Sequence, residues 1–185
     1  GGRSSRMGRD KAAVRLGDRT LQDLVHARLA PQVDRVVVSK RTPEGPETIG
    51  DPPGIEGPLA GILAGLEYAV ATGAAFVAFA PTDTPFVPAA FVARARAALV
   101  AEAAEIALGA HGGRVHHAVG LWRAELVAPL RAWVVANTRH SVRDFAGTRR
   151  TVAVDFPGAE DPFLNINTET ELAAARARLA AGGDS

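Results

Sequence analysis

The sequence has 185 residues, a formal net charge of +1 and no cysteine. Its length fits one domain with a sizeable hydrophobic core, at roughly 150 residues per domain. The near-neutral charge gives no general attraction to nucleic acid or to a membrane surface, and the absence of cysteine excludes disulfides and thiolate metal sites.

No apolar run is long enough to cross a bilayer, and no secretory signal is present, so we expect a soluble, cytoplasmic protein. The spacing of apolar residues predicts helices over 20–30, 58–72, 88–104 and 124–136. Ser141 and Thr168 begin capping-box patterns that predict two further helices, the second ending at 182–183. Apolar runs predict strands over 35–39, 75–80, 105–109, 117–122 and 152–156, with loops over 1–11 and 41–57.

This alternation predicts a three-layer α/β/α, Rossmann-like fold with a mostly parallel sheet over residues 1–185. In such sheets, ligands bind beyond the carboxyl ends of the strands. The residues that directly follow each predicted strand are therefore the first candidates for a functional site.

The chain begins with a glycine-rich basic loop. Gly1 and Gly2 let backbone N–H groups approach an anion closely, and Arg6 and Lys11 supply the charge that a triphosphate needs. A basic N-terminal tail would have the same composition, so composition leaves both interpretations open. A phosphate loop normally follows a strand. We therefore expect a short apolar strand before Gly1, without which the sheet would lack its central strand and the chain could fail to fold.

Two candidates for nucleotide binding lie before and at the start of the second helix. The carboxylate of Asp51 can accept from the two adjacent donors on the Watson–Crick edge of guanine, although a solvated turn before Pro52 explains the same residue. Gly57 begins a helix whose free N–H groups can face an anion or a base edge. Ordinary helix initiation is the alternative for Gly57.

Asp83 lies in a Pro-Thr-Asp-Thr-Pro segment at 81–85, directly after an apolar strand. Without cysteine, any bound metal uses oxygen or imidazole ligands, which favours Mg²⁺, Ca²⁺ or Mn²⁺. A carboxylate at the carboxyl end of a strand is well placed to hold Mg²⁺ against phosphate oxygens. An aspartate that only shapes the turn and caps the next helix would have the same sequence.

The last candidates are polar residues near the end of the chain and two histidines in a strand. Asn165 and Asn167 alternate, so their side chains share one face, where both can donate to phosphate or complete a metal shell through water. Alternatively, Asn167 only shapes the turn before Thr168, which caps the last helix. His116 and His117 point to opposite strand faces, so we expect structural or substrate contacts from them and not chelation of one ion.

In this order, the segments resemble the molybdenum cofactor guanylyltransferase family, and the resemblance covers nearly the whole chain. The glycine signature at 1–11 and the Asp-Thr-Pro motif at 83–85 are shared with many nucleotidyltransferases. The Gly-Pro-Leu-Ala-Gly segment at 57–61 and the Asn-Ile-Asn-Thr segment at 165–168 are more specific to this family.

The resemblance implies a Mg²⁺-dependent enzyme that joins GMP from GTP to the phosphate of molybdopterin and releases pyrophosphate. It assigns the GTP phosphates to Gly1, Gly2 and Lys11. It assigns a phosphate or the transition state to Arg6, and Mg²⁺ to Asp83. It assigns further nucleotide contacts to Ser39, Asp51 and Gly57, and the molybdopterin side to Asn165 and Asn167.

The resemblance also implies transient contact with molybdenum-insertion proteins and molybdoenzyme chaperones. Two alternatives stay open. One is a related nucleotidyltransferase that uses CTP, or a sugar phosphate or phospholactate as the acceptor. The other is a nucleotide-binding module without catalytic activity.

Overall fold

The computed structural model describes residues 14–181, in which helices and strands alternate along the chain. The helices are α1 (Leu21–Leu29), α2 (Pro58–Thr72), α3 (Phe91–Ala101), α4 (Val127–Ala136), α5 (Val142–Gly147) and α6 (Glu169–Ala180). The strands are β1 (Arg15–Leu16), β2 (Arg19–Thr20), β3 (Val38–Lys40), β4 (Thr48–Gly50), β5 (Phe76–Phe79), β6 (Ile106–His111), β7 (Arg114–Arg123) and β8 (Thr151–Asp155). Within the described range, every helix is too short or too polar to span a membrane.

Four strands form the main sheet, in the order β5–β7–β6–β8. Strands β5 and β6 are each antiparallel to β7, and β6 is parallel to β8. Consequently β5, β6 and β8 run in one direction and β7 runs against them. Strands β3 and β4 form a separate parallel pair, and β1 and β2 form a short antiparallel pair. The predicted α/β fold with a mostly parallel sheet is confirmed.

The two faces of the main sheet pack against different helices, because side chains alternate along each strand. On one face, Ala107 and Leu121 pack with buried residues of α1 and α3. On the other face, Ile106, Leu108 and Trp122 pack with buried residues of α2, α4 and α5. The predicted arrangement of helices on both sides of a sheet is therefore present.

A third hydrophobic cluster joins the first described residues to two loops at the edge of the sheet. Val14 and Leu16 pack with Phe86, Ile166 and the buried face of α6. Phe86 belongs to the loop after β5, and Ile166 belongs to the long connection between β8 and α6. The residues that follow the predicted glycine loop in the sequence therefore contact both of these loops.

Several predicted elements agree with the structure. Helix α2 has the predicted bounds, and Gly73 ends it in the left-handed conformation, with a φ of 74°. Thr168 caps α6 in a complete capping box, since Thr168 accepts from Glu171 N and the Glu171 carboxylate accepts from Thr168 N. Ser141 likewise caps α5 by accepting from Asp144 N.

Other predictions of local structure were wrong in extent. The segment over 41–57, predicted as a loop, contains strand β4. The strand predicted over 35–39 is present only as the three residues of β3. These two short strands form because they pair with each other. The helix predicted over 88–104 is limited to α3. Strand β7 is longer than predicted and pairs with β6. The turn between these two strands consists of Gly112 and Gly113, which have φ values of 55° and 81°. Two consecutive positive φ values suit a two-residue hairpin turn.

Gly109 in β6 is the point at which the ring of Phe163 packs against the sheet. A methyl group placed on Gly109 would lie 2.8 Å from Phe163 Cζ and 3.0 Å from Cε2. The Phe163 ring is fully buried between the rings of Phe91 and Phe156. Since Phe163 precedes Asn165, this glycine helps to set the position of a candidate site residue.

We expect Gly109→Ala to lower the free energy of unfolding by about 1–3 kcal/mol, because a crowded core must shift a ring. Urea denaturation of the purified wild type and variant measures this change. Gly147→Ala is the matched control, since a methyl group there meets no atom within 4 Å. The control should stay within about 0.5 kcal/mol of the wild type. Equal stability of the two variants would contradict the packing described here.

Candidate functional site

The candidate residues within the described range lie at or after the carboxyl ends of strands, where α/β sheets bind ligands. Ser39 is within β3, Asp51 directly follows β4, and Asp83 follows β5. The connection that carries Asn165 follows β8. Four of the predicted site residues lie outside the described range: Gly1, Gly2, Arg6 and Lys11.

Asp83 occupies a corner of a tight turn at the end of β5. Thr84 N donates to Pro81 O at 3.2 Å, which places Thr82 and Asp83 at the two central positions of a β-turn. Pro81 and Pro85 restrict the backbone on either side. The side chain of Thr82 is exposed and that of Asp83 is half-buried. The Asp83 side chain therefore projects from a backbone turn that two prolines and a hydrogen bond restrict.

The connection between β8 and α6 crosses the sheet edge and bonds to this turn. Ile166 N donates to Asp83 O at 2.9 Å, and Thr84 Oγ1 donates to Asn165 Oδ1 at 2.9 Å. Strands β5 and β8 lie at opposite edges of the main sheet. These two hydrogen bonds thus bring together Asp83 and Asn165, which the sequence predicted separately for metal and acceptor binding.

Asn167 lies at the start of α6. Asn167 N donates to Glu171 Oε2 at 2.7 Å, beside Thr168 N at 2.8 Å. The backbone of Asn167 is therefore part of the helix cap, as the alternative interpretation predicted. The Asn167 side chain is half-buried, and its proposed contact with molybdopterin stays a prediction.

Ser39 and Asp51 form a second pair of candidate residues. Ser39 Oγ donates to Asp51 Oδ1. The parallel register of β3 and β4 sets Ser39 opposite Ile49, and Asp51 N extends this pairing by donating to Lys40 O at 2.9 Å. The strand pairing that the sequence did not predict is therefore what brings these two predicted nucleotide contacts together.

Helix α2 packs against Ser39 and against the end of β5, the strand that precedes Asp83. A methyl group placed on Gly61 would lie 3.3 Å from Ser39 Oγ, and one placed on Gly65 would lie 2.6 Å from Phe79 Cε1. Gly61 and Gly65 share one helix face, one turn apart. Ser39 and the end of β5 therefore contact neighbouring turns of the same helix, which relates the Asp51 pair to the Asp83 turn.

The N-terminus of α2 has the features of an anion-facing helix end. Gly57 is the N-cap, with a φ of 79° that favours glycine, and Pro58 occupies the first turn. Gly57 provides no capping side chain. Pro58 has no N–H group and Ala60 N donates to Gly57 O at 3.2 Å, so Leu59 N is the donor of the first helical turn that can face a negatively charged ligand.

A buried pair that the sequence did not predict fixes the start of the segment that carries Asn165. His116 Nε2 lies 2.9 Å from Asp161 Oδ2, with side chains 8% and 17% exposed. Asp161 Oδ1 also accepts from Phe163 N at 2.9 Å, and the His116 ring packs against that of Phe163 at 5.4 Å between centroids. Alternation along β7 indicated which faces the histidines occupy, but no local signal identified Asp161 as the partner.

Arg178 of α6 links the same segment to the loop after β5. Its Cζ lies 4.1 Å from the centroid of the Phe86 ring, and its Nε lies 2.8 Å from Glu160 Oε2. Arg178 Nη1 also donates to Asp161 O at 3.2 Å. Helix α6 thereby holds both loops of the candidate site.

Asp83 is the candidate ligand for a metal ion at this turn. Within residues 14–181, no three His, Asp or Glu side chains group closely enough to hold a metal ion by themselves. Proteins commonly bind Mg²⁺ through one or two carboxylates, with water and substrate phosphates as the other ligands. Asp83 is therefore suited to hold an ion that also binds a phosphate.

Comparisons with known proteins agree with the sequence motifs. Residues 1–154 match the family model of the MobA-like NTP transferase domain. The chain is 42% identical to the molybdenum cofactor guanylyltransferase of Sinorhizobium fredii (strain NBRC 101917 / NGR234), over 93% of this chain and 85% of that protein. It is 39% identical to the molybdenum cofactor guanylyltransferase of Rhizobium meliloti (strain 1021), over 97% of this chain and 88% of that protein.

Solved structures share the fold at low sequence identity. Molybdopterin-guanine dinucleotide biosynthesis protein A from Archaeoglobus fulgidus is similar with a TM-score of 0.78 and 20% identity, over 98% of this chain and 96% of that chain. The 2-C-methyl-D-erythritol 4-phosphate cytidylyltransferase from Thermus thermophilus is similar with a TM-score of 0.66 and 20% identity, over 92% and 93% of the two chains. Both solved structures therefore share the fold of this chain.

The buried histidine makes stability depend on pH. Burial lowers the pKa of His116 below its ordinary value of 6.5, and the nearby Asp161 carboxylate only partly opposes this change. The folded protein therefore binds fewer protons at His116 than the unfolded chain does. Its contribution to the free energy of unfolding is full above the unfolded pKa and falls as the pH decreases below that value.

We expect the free energy of unfolding to decrease from about pH 7.5 to about pH 5.5, and to decrease less in His116→Gln. In Asp161→Asn the decrease should be steeper, because the carboxylate that favours protonated His116 is gone. Urea denaturation across this pH range measures all three proteins. Identical pH dependence in the wild type and His116→Gln would contradict the assignment.

Proposed function

Because this chain belongs to the molybdenum cofactor guanylyltransferase family, we propose that it transfers GMP from GTP to the phosphate of molybdopterin and releases pyrophosphate. The observation that carries the proposal is the hydrogen-bonded junction between the Asp83 turn and the Asn165 segment. Nucleotidyl transfer requires the donor and the acceptor to meet in a fixed geometry. A residue suited to the donor's metal and a residue suited to the acceptor lie side by side at this junction.

The proposed reaction is an in-line displacement at phosphorus. An oxygen of the molybdopterin phosphate forms a bond to the α-phosphorus of GTP, and the bond from that phosphorus to the pyrophosphate group breaks. The attacking oxygen is already anionic, so no residue has to remove a proton. The chain therefore contributes positioning and charge stabilisation.

In this proposal, the glycine loop at residues 1–11 holds the phosphates of GTP, with Arg6 and Lys11 as the cations. Asp83 holds Mg²⁺, which when bound neutralises negative charge on the phosphate oxygens. The packing of Val14 supports this arrangement. Val14 closely follows the glycine loop in the sequence and packs in the same hydrophobic cluster as Phe86, which is three residues after Asp83.

Asp51 is the proposed determinant of the base. Guanine has two adjacent donors on its Watson–Crick edge, and a carboxylate accepts from both, whereas cytosine and uracil lack this pair. The hydrogen bond from Ser39 fixes the carboxylate before the base arrives. This chemistry favours GTP over CTP. The contacts with molybdenum-insertion proteins and molybdoenzyme chaperones stay predictions from the family resemblance.

We expect Asp83→Ala to lower kcat by ~10²–10³-fold, because one electrostatic partner of the reacting phosphates is lost. Pyrophosphate release from GTP and molybdopterin, titrated with GTP in the presence and absence of Mg²⁺, measures the effect. Asp34→Ala is the matched control, since Asp34 is exposed and lies between α1 and β3. If Asp83→Ala keeps full Mg²⁺-dependent activity, the assignment of the metal ligand is wrong.

We expect Asp51→Ala to raise the KM for GTP by about tenfold or more, because hydrogen bonds to a charged group contribute about 1.5–3 kcal/mol. A panel of GTP, ATP, CTP and UTP with molybdopterin, followed by pyrophosphate release, tests this. Wild-type turnover should require GTP, and the variant should lose that preference. Wild-type turnover with CTP would indicate a different transferase, and GTP binding without any turnover would indicate a binding module.

A further inference from the structure

Thr84 is unusual among the described residues because it is the one polar side chain there that is fully buried. Burying a hydroxyl group costs free energy unless the group is hydrogen-bonded. Thr84 Oγ1 satisfies this requirement by donating to Asn165 Oδ1 at 2.9 Å. The buried hydroxyl is thus committed to a side chain that the proposed function places on the acceptor side.

A primary amide has one end that accepts hydrogen bonds and one that donates them. Because Thr84 holds the oxygen of Asn165, the amide nitrogen Nδ2 points away from Thr84. This nitrogen donates no hydrogen bond to any described residue. The Oδ1 atom of Asn165 is therefore held by Thr84, and the Nδ2 atom is available to donate to a ligand.

The backbone around Asn165 is also held in place. Ile166 N donates to Asp83 O at 2.9 Å, and the Ile166 side chain is buried in the third hydrophobic cluster. On the other side, Phe163 is fully buried against Gly109. With the main chain held on both sides, Asn165 keeps the freedom of its side-chain torsions, and the hydrogen bond from Thr84 Oγ1 to Oδ1 restrains the rotation of the amide group.

We propose that Thr84 is a positioning residue that orients the Asn165 amide so that its NH₂ group donates to the anionic acceptor. This inference rests on the proposed function, in which Asn165 faces molybdopterin. The opposite orientation would direct an oxygen at the acceptor phosphate and repel it. Since Thr84 adjoins Asp83, one turn both holds the metal ligand and orients the acceptor contact.

The variant Thr84→Val tests this role because it keeps the branched shape and removes the hydroxyl, whereas Thr84→Ser keeps the hydroxyl. We expect Thr84→Val to raise both the KM and the Kd of molybdopterin by about tenfold or more, the effect of losing a hydrogen bond to a charged group. The KM for GTP should not change, and Thr84→Ser should restore molybdopterin binding. Pyrophosphate release gives both KM values, and an anaerobic fluorescence titration of molybdopterin without GTP gives Kd.

A matched control is Thr148→Val, because Thr148 Oγ1 also donates a hydrogen bond, to Phe145 O at 2.7 Å, at the end of a helix outside the site. Its KM and Kd values should equal those of the wild type. A second test is Asn165→Asp, which keeps the acceptor for Thr84 but replaces the donor with an oxygen. It should weaken molybdopterin binding at least as much as Thr84→Val, and the double variant should be no worse than Asn165→Asp.

Four results would overturn the inference. Unchanged molybdopterin binding in Thr84→Val shows that Thr84 does not orient the amide, and equal rises in the KM of both substrates show a purely structural role. If Thr84→Val does not fold, the Asn165→Asp variant provides the test. A Kd for molybdopterin equal to that of the wild type would then overturn the inference. If the wild type itself releases no pyrophosphate from GTP and molybdopterin, the proposed function fails and this inference fails with it.

Discussion

The candidate site depends on the contact between the turn after β5 and the connection after β8. The peptide of Ile166 donates to Asp83 O, and Thr84 donates to Asn165. These strands form opposite edges of the main sheet, so the sheet alone would keep the two segments apart. Without this junction, the candidate metal ligand and the candidate acceptor contact would belong to separate surfaces.

The surrounding core holds the long connection in place at several points. The ring of Phe163 fills the space that Gly109 leaves, and Asp161 is held by the buried His116 and by Arg178. Each contact joins the connection to a different element, namely β6, β7 or α6. A segment that lacks regular structure is thereby held at three points, and precise positioning of two substrates requires such support.

Local chemistry accounts for the features that the sequence predicted. The bounds of α2 follow from Pro58 and Gly73, and the start of α6 follows from the capping box at Thr168. The carboxylate after an apolar strand identified Asp83 as a candidate. Local signals of this kind act within a few residues, so the sequence alone is sufficient to find them.

The remaining features depend on contacts between distant residues. Thr84 and Asn165 are 81 positions apart, and no local pattern pairs a threonine with one particular asparagine. Strand β4 was missed for a similar reason, since its three residues pair only because β3 lies beside them. Sequence patterns therefore identified candidates one by one, and the tertiary structure showed which of them lie close together.

The central claim is that one nucleotide contacts both Asp51 and the Asp83 turn while the acceptor reaches Asn165. A crystal structure of the chain with GTP, Mg²⁺ and molybdopterin tests it most directly. We predict guanine against the Asp51 carboxylate, the metal ion on Asp83, and the acceptor phosphate within hydrogen-bond distance of Asn165 Nδ2. GTP bound with its phosphates remote from Asp83, or molybdopterin bound away from Asn165, would contradict the account.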